Sequence, residues 1–169
     1  MKNIFLIVLA LIVFNSCKYE SKTVEETIEK EVTNDIKKAK QSVASLKAEL
    51  KEKGFQVFDY VDEETKDTVI MQQYYIAFLK SGSIRNQNEE EANKLQEQHL
   101  AHLGKMYALG YADISGPFAD DGEIRGITIY NVPSLKMADS LANSDPMVKA
   151  GRLKIEMHPW WAAKGYSLR

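Results

Sequence analysis

The sequence holds a single cysteine, Cys17, so no intramolecular disulfide can form. None of its apolar runs reaches the roughly 18 to 20 residues that a bilayer-spanning helix needs. Neither charge is in surplus, because 22 Lys and Arg stand against 24 Asp and Glu for a net charge of -2. With no basic face to meet a phosphate backbone, nucleic acid is excluded as a partner. Glycine and proline are both missing from residues 20–53, where nothing breaks a helix. What is present, 169 residues that are 44% hydrophobic and 27% charged, suffices for one globular domain plus additional segments.

The lone cysteine takes its meaning from its position. Met1, Lys2 and Asn3 form a short basic head, and Ile4 to Phe14 is unbroken apolar chain, the length of a signal h-region rather than a span. Asn15, Ser16 and Cys17 follow and resemble a bacterial lipobox. Residues 1–17 are therefore expected to be a lipoprotein signal peptide, with Cys17 lipidated and the lipid bilayer as a partner. Each buried CH₂ of the acyl chains adds about 0.8 kcal/mol of membrane affinity. The expected localisation is the bacterial cell envelope, facing the periplasm, with the outer membrane preferred because Lys18, not Asp, follows the cysteine.

Residues 18–54 read as a helical stalk. Val32, Ile36, Ala39, Val43, Leu46 and Leu50 recur at alternating spacings of four and three, a narrow apolar stripe that suits either a short coiled coil or local packing. Gly54 is placed to end the helix. Residues 55–71 read as a β-hairpin extension, with the polar segment Asp62 to Asp67 as its turn and a second arm that continues into the main sheet.

Residues 72–161 carry the pattern strand, helix, strand, strand, helix, strand, and residues 162–169 form a tail. The helices are placed over 88–109 and from a Ser134 cap to about Ala142, and the strands over 111–118, 124–132 and 152–158, the last ending before Pro159. This is the βαββαβ order of an α+β, ferredoxin-like domain. Four strands with both helices on one face leave the other face bare, so a homodimer formed sheet to sheet is expected.

Several short elements, taken in order, resemble the YCII-related family of dimeric α/β barrels. They are Tyr74 to Leu79, His99-Leu100-Ala101-His102-Leu103, Gly116-Pro117-Phe118, Asp120-Asp121-Gly122, Asp145-Pro146, Lys149 to Leu153 and His158-Pro159-Trp160. The resemblance implies a small-molecule pocket in which His99 and Asp145 are catalytic, the imidazole moving a proton and the carboxylate orienting it. It implies a lyase or isomerase type of enzyme needing no cofactor. The alternative is a non-catalytic module that binds a small molecule or another envelope protein. Better-known small members of the family carry Arg three residues before the helix histidine, where this chain has Gln96, and Tyr after Asp-Pro, where it has Met147. Arg85 and Arg125 are then candidate anion partners.

Other readings of these residues compete. Asp145 before Pro146 is also a natural helix cap, and His99 also suits a satisfied interior position. Tyr75, His102, Phe118 and Trp160 are candidate ligand contacts, although aromatic residues at strand ends more often serve core or interface. His99 and His102 lack the further ligands of a zinc site, and the Asp120-Asp121-Gly122 turn lacks those of a calcium loop, so no metal is expected.

Overall fold

A computed structural model describes residues 42–166 together with positions 28, 33 and 168. The signal segment, Cys17 and the stalk stripe as far as Ala39 lie outside the described residues. Residues 42–52 are helical (α1), with Val43 and Leu46 half-buried and Leu50 buried on one stripe. Gly54, at φ 84°, turns the chain out of this helix, and the amides of Gly54 and Phe55 close back on the carbonyls of Lys51 and Leu50.

Strand β1 (Val57–Val61) is tied to α1 by an ion pair between Asp59 and Lys47. It returns antiparallel along the start of β2 (Thr68–Ser81) in the register Val61 to Thr68 through Val57 to Gln72. Between them Asp62 accepts the amides of Glu64 and Thr65 at 3.0 and 2.8 Å, the side-chain-to-backbone bonding that makes Asp a turn former.

The fourteen residues of β2 are the spine of the sheet. Past β1, the same edge pairs with β4 (Ile124–Tyr130) from Tyr75 opposite Tyr130 onward. The opposite edge pairs with β5 (Leu153–Ala163) along its whole length. Strand β3 (Ala112–Pro117) lies outside β4, so the order is β5-β2-β4-β3 with every neighbour antiparallel. Helices α2 (Glu89–Ala108) and α3 (Leu135–Asn143) make the two crossovers, and the short α4 (Pro146–Lys149) precedes β5. This is the ferredoxin-like α+β arrangement.

The last strand runs five residues beyond the break that Pro159 suggests, reaching Ala163. Proline is accommodated because β5 is an edge strand. Pro159 sits opposite Tyr75 with no neighbour on its outer side, so a missing amide need not cost a ladder bond.

Alternation sorts the side chains of the sheet between its two faces. Tyr75, Ala77, Leu79, Tyr130 and Leu153 point to the helix side, where they form the core with Met106, Ala138, Ala142 and Met147. Tyr74, Ile76, Phe78, Ile127, Ile129 and Trp160 occupy the other face, on which Trp160 is 42% exposed.

Candidate functional site

Each site residue is held by a local device that the sequence supplies. Helix α2 begins with a complete capping box: the Asn88 side chain accepts the Glu91 amide, and the Glu91 carboxylate accepts the Asn88 amide. Glu89, Glu90 and Glu91 in the first turn and Lys105 in the last suit the helix dipole. Leu95, His99 and Met106 recur along the inward stripe, which brings the imidazole against the core.

Asp145 is the N-cap of α4, with Pro146 at the first turn. Its Oδ1 accepts the Met147 amide at 2.8 Å, and its Oδ2 lies 2.6 Å from Nδ1 of His99. Capping and histidine pairing, competing readings in the sequence, are thus carried by two oxygens of one carboxylate. With Oδ2 as acceptor, Nδ1 donates, and chemistry at the ring falls to Nε2. Asp145 is 3% exposed and His99 9%.

His99 lines a cavity of about 310 Å³ at one end of the sheet. Its apolar wall includes Leu79, Leu103, Met147 and Leu153, and its polar wall consists of Arg85, Gln96, His99, Arg125 and Arg152. Gly116 and Gly126 contribute bare backbone to the lining, and a Cβ added at Gly126 would lie 2.5 Å from the Gly116 carbonyl oxygen. Gln96 and Met147, the two departures from the family pattern, both face this space.

The other candidate contacts are elsewhere. Tyr75 is buried in the core and its hydroxyl bonds Gln73 at 3.1 Å. Phe118 flanks a shallower depression beside Lys80 and Glu123, and Trp160 lies on the bare face with its ring 6.2 Å from that of Tyr74. Strand parity and position along the sheet separate these three from the cavity. His102 is one turn along α2 but does not line the cavity; its Nε2 is buried without a hydrogen-bond partner among the described residues, and burial lowers its pKa while the Asp145 charge pulls the other way. Burial, then the same charge, raises the Tyr130 hydroxyl above the usual phenol range. His158 faces the bare side, bonded to Glu156 at 3.0 Å.

Among the described residues no group of three or more His, Cys, Asp or Glu is placed to hold a metal. No described helix is long and apolar enough to cross a membrane. Arg152, quoted in the sequence only as part of a motif, is the site residue that pattern reading missed. The signal available for it was a cation directly after a glycine that ends a helix.

A ferredoxin-like domain with a buried histidine–aspartate pair opening on a small cavity defines the class of this molecule. The chain belongs to the YCII-related domain family, whose model matches residues 74–160. Among solved structures it is similar to 5-chloro-2-hydroxyhydroquinone dehydrochlorinase (TftG) from Burkholderia phenoliruptrix AC1100, solved with 2,5-dihydroxybenzoquinone. The identity is 20% and the TM-score 0.41, with 52% of this chain and 92% of that chain covered. Comparison with curated proteins gives no match.

Proposed function

We propose that the protein is a lipid-anchored envelope enzyme whose YCII-related domain transfers a proton on a small organic molecule, as a lyase or isomerase without a cofactor. The observation that carries this reading is the 2.6 Å bond from His99 Nδ1 to Asp145 in a ring that also lines a cavity. Nε2 of His99 takes a proton from the ligand, and the buried carboxylate stabilises the imidazolium that results. The electron pair left on the ligand then either expels a leaving group, as a lyase requires, or accepts the proton back at another atom, as an isomerase requires.

A thermal-shift screen of small cyclic acids, phenols and ketones, followed by turnover assays on each ligand that raises Tm, tests the proposal. His99→Ala is expected to lower turnover by about 10²- to 10⁴-fold. Unchanged turnover in that variant would remove His99 from the chemistry.

A second reading, a non-catalytic binding module, is favoured by Gln96 and Met147. They put an amide and a thioether in the cavity wall where related domains have a cation and a phenol. Ligands that bind but are never converted would select it.

Two further parts of the proposal concern partners. The apolar row Tyr74, Ile76, Phe78, Ile127 and Ile129 supports a homodimer packed sheet to sheet. Light scattering on the acyl-free protein checks it, and a stable single copy rejects it. Lipidation at Cys17 predicts palmitate labelling that is lost in Cys17→Ala.

A further inference from the structure

The cavity wall contains three guanidinium groups, and among the described residues no Asp or Glu lines it. Asp145 stands behind His99, committed to the imidazole and to the Met147 amide. Among the described residues none of the three arginines has a close carboxylate partner. Arg152 donates from Nη1 to the uncharged Gln87 amide at 2.8 Å, and its Nε is buried with no hydrogen-bond partner among the described residues. Arg125 donates to the Gly122 carbonyl at 3.1 Å, and the fully solvated Asp121 carboxylate is 3.9 Å away. No ion pair involves Arg85 among the described residues.

The backbone holds two of these cations near each other. The loop after β2 lies against the turn between α4 and β5, with the Gly82 amide bonded to the Arg152 carbonyl at 2.8 Å and the Ile84 amide to the Gly151 carbonyl at 3.1 Å. The approach is so close that a Cβ on Gly82 would lie 2.0 Å from the Gly151 oxygen. Arg85 and Arg152 therefore stand on two segments clamped together, while Arg125 comes from the start of β4.

A half-buried guanidinium with an unpartnered donor is costly unless an acceptor completes it. Guanidinium is also the side chain best matched to a planar, two-oxygen anion. We propose that the cavity takes its ligand as a small organic carboxylate, received by Arg152 with Arg85 and Arg125 nearby, so that the rest of the molecule lies toward Nε2 of His99. The charge lost where Gln96 stands is thereby supplied from a different part of the chain. The size fits a compact ligand, since the cavity is at the lower end of the roughly 300–1,000 Å³ of small-molecule sites. This inference rests on the proposed use of the cavity and adds the chemical class of what enters it.

The test titrates the full chain, in detergent, with pyruvate, benzoate and 2-hydroxybenzoate, each beside its neutral primary amide, and with inorganic phosphate, following the His99 ring resonances by NMR. At least one carboxylate is expected to bind tenfold or more tightly than its amide, and Arg152→Gln to remove that preference. His99→Gln, followed through the Met147 methyl resonance, is expected to keep it. Carboxylates no tighter than their amides, phosphate tighter than every carboxylate, or a preference unchanged in Arg152→Gln would each overturn the proposal. The proton-transfer reading fails separately: carboxylate preference without any His99-dependent turnover leaves a binding site, and turnover of neutral ligands that survives Arg152→Gln leaves an enzyme without this anion site.

Discussion

The two faces of the sheet are built from the same strands and have opposite fates. On one, Tyr75, Ala77, Thr128 and Tyr130 are almost wholly enclosed by three helices. On the other, Phe78 and Ile127 are half-buried, and the ring of Tyr74 has Trp160 6.2 Å away and a Lys164 ammonium 5.6 Å from its centroid. Burial, aided by the charge of Asp113, pushes the Tyr74 hydroxyl up to about 12. Alternation makes a strand apolar on both sides as readily as on one; which side is covered is decided by the crossovers. The covered side also holds the His99–Asp145 pair, which helices α2 and α4 bring together over the sheet.

The sharpest way to break this contrast is to remove Asp145. Asp145→Ala uncaps α4, at a cost of about 1 kcal/mol, and leaves the His99 donor unsatisfied, at about 1–3 kcal/mol more. Turnover of any identified substrate is expected to fall by about 10²- to 10⁴-fold, while Asp145→Asn keeps the cap and restores most of the Tm without restoring turnover. Chemical denaturation and steady-state kinetics on the two variants read both effects.

Truncation on the covered face comes next. Tyr130→Ala is expected to cost about 3–5 kcal/mol by opening a cavity at a site 2% exposed. On the bare face, and under the proposed sheet-to-sheet dimer, Phe78→Glu is expected to shift scattering mass from two copies to one and to leave the unfolding transition of a single copy little moved. Equal losses of stability from both variants would mean that the faces do not differ as described.

The smallest effect is in pH. Burial lowers the folded-state pKa of His102, so the unfolded chain binds more protons below the ordinary histidine value near 6.5. Stability is therefore expected to be full above that value and to decline as pH falls from it toward the lowered folded-state pKa. His102→Asn should flatten that part of a Tm-against-pH curve, and an unchanged slope would assign the dependence to another group.

Much of the domain was legible from local chemistry. Ser134 and Asp145 each cap the helix that follows, and Gly54 and Gly110 adopt the positive φ that ends the helix before them, while the Asn88 cap of α2 is seen only in the structure. The β-branched and aromatic run that became β2 and the segment that became β4 both read as strands, and both are strands. Element order alone implied a ferredoxin-like sheet. Pro159 misled because a rule about proline in strands depends on whether the strand has an outer neighbour, which is a property of the sheet.

The site divides along the same line. His99 on an apolar stripe and Asp145 before a proline were visible one at a time, as was each arginine. The sequence by itself determined where helices start and stop, which residues alternate, and how a carboxylate came to cap α4. Only the tertiary structure decided that this carboxylate meets an imidazole 46 residues away, and that Arg85, Arg125 and Arg152 line one space while Tyr75, Phe118 and Trp160 do not. Caps and periodicities are fixed by neighbours within one or two turns, whereas a cavity is whatever several separate segments leave between them once the sheet has closed.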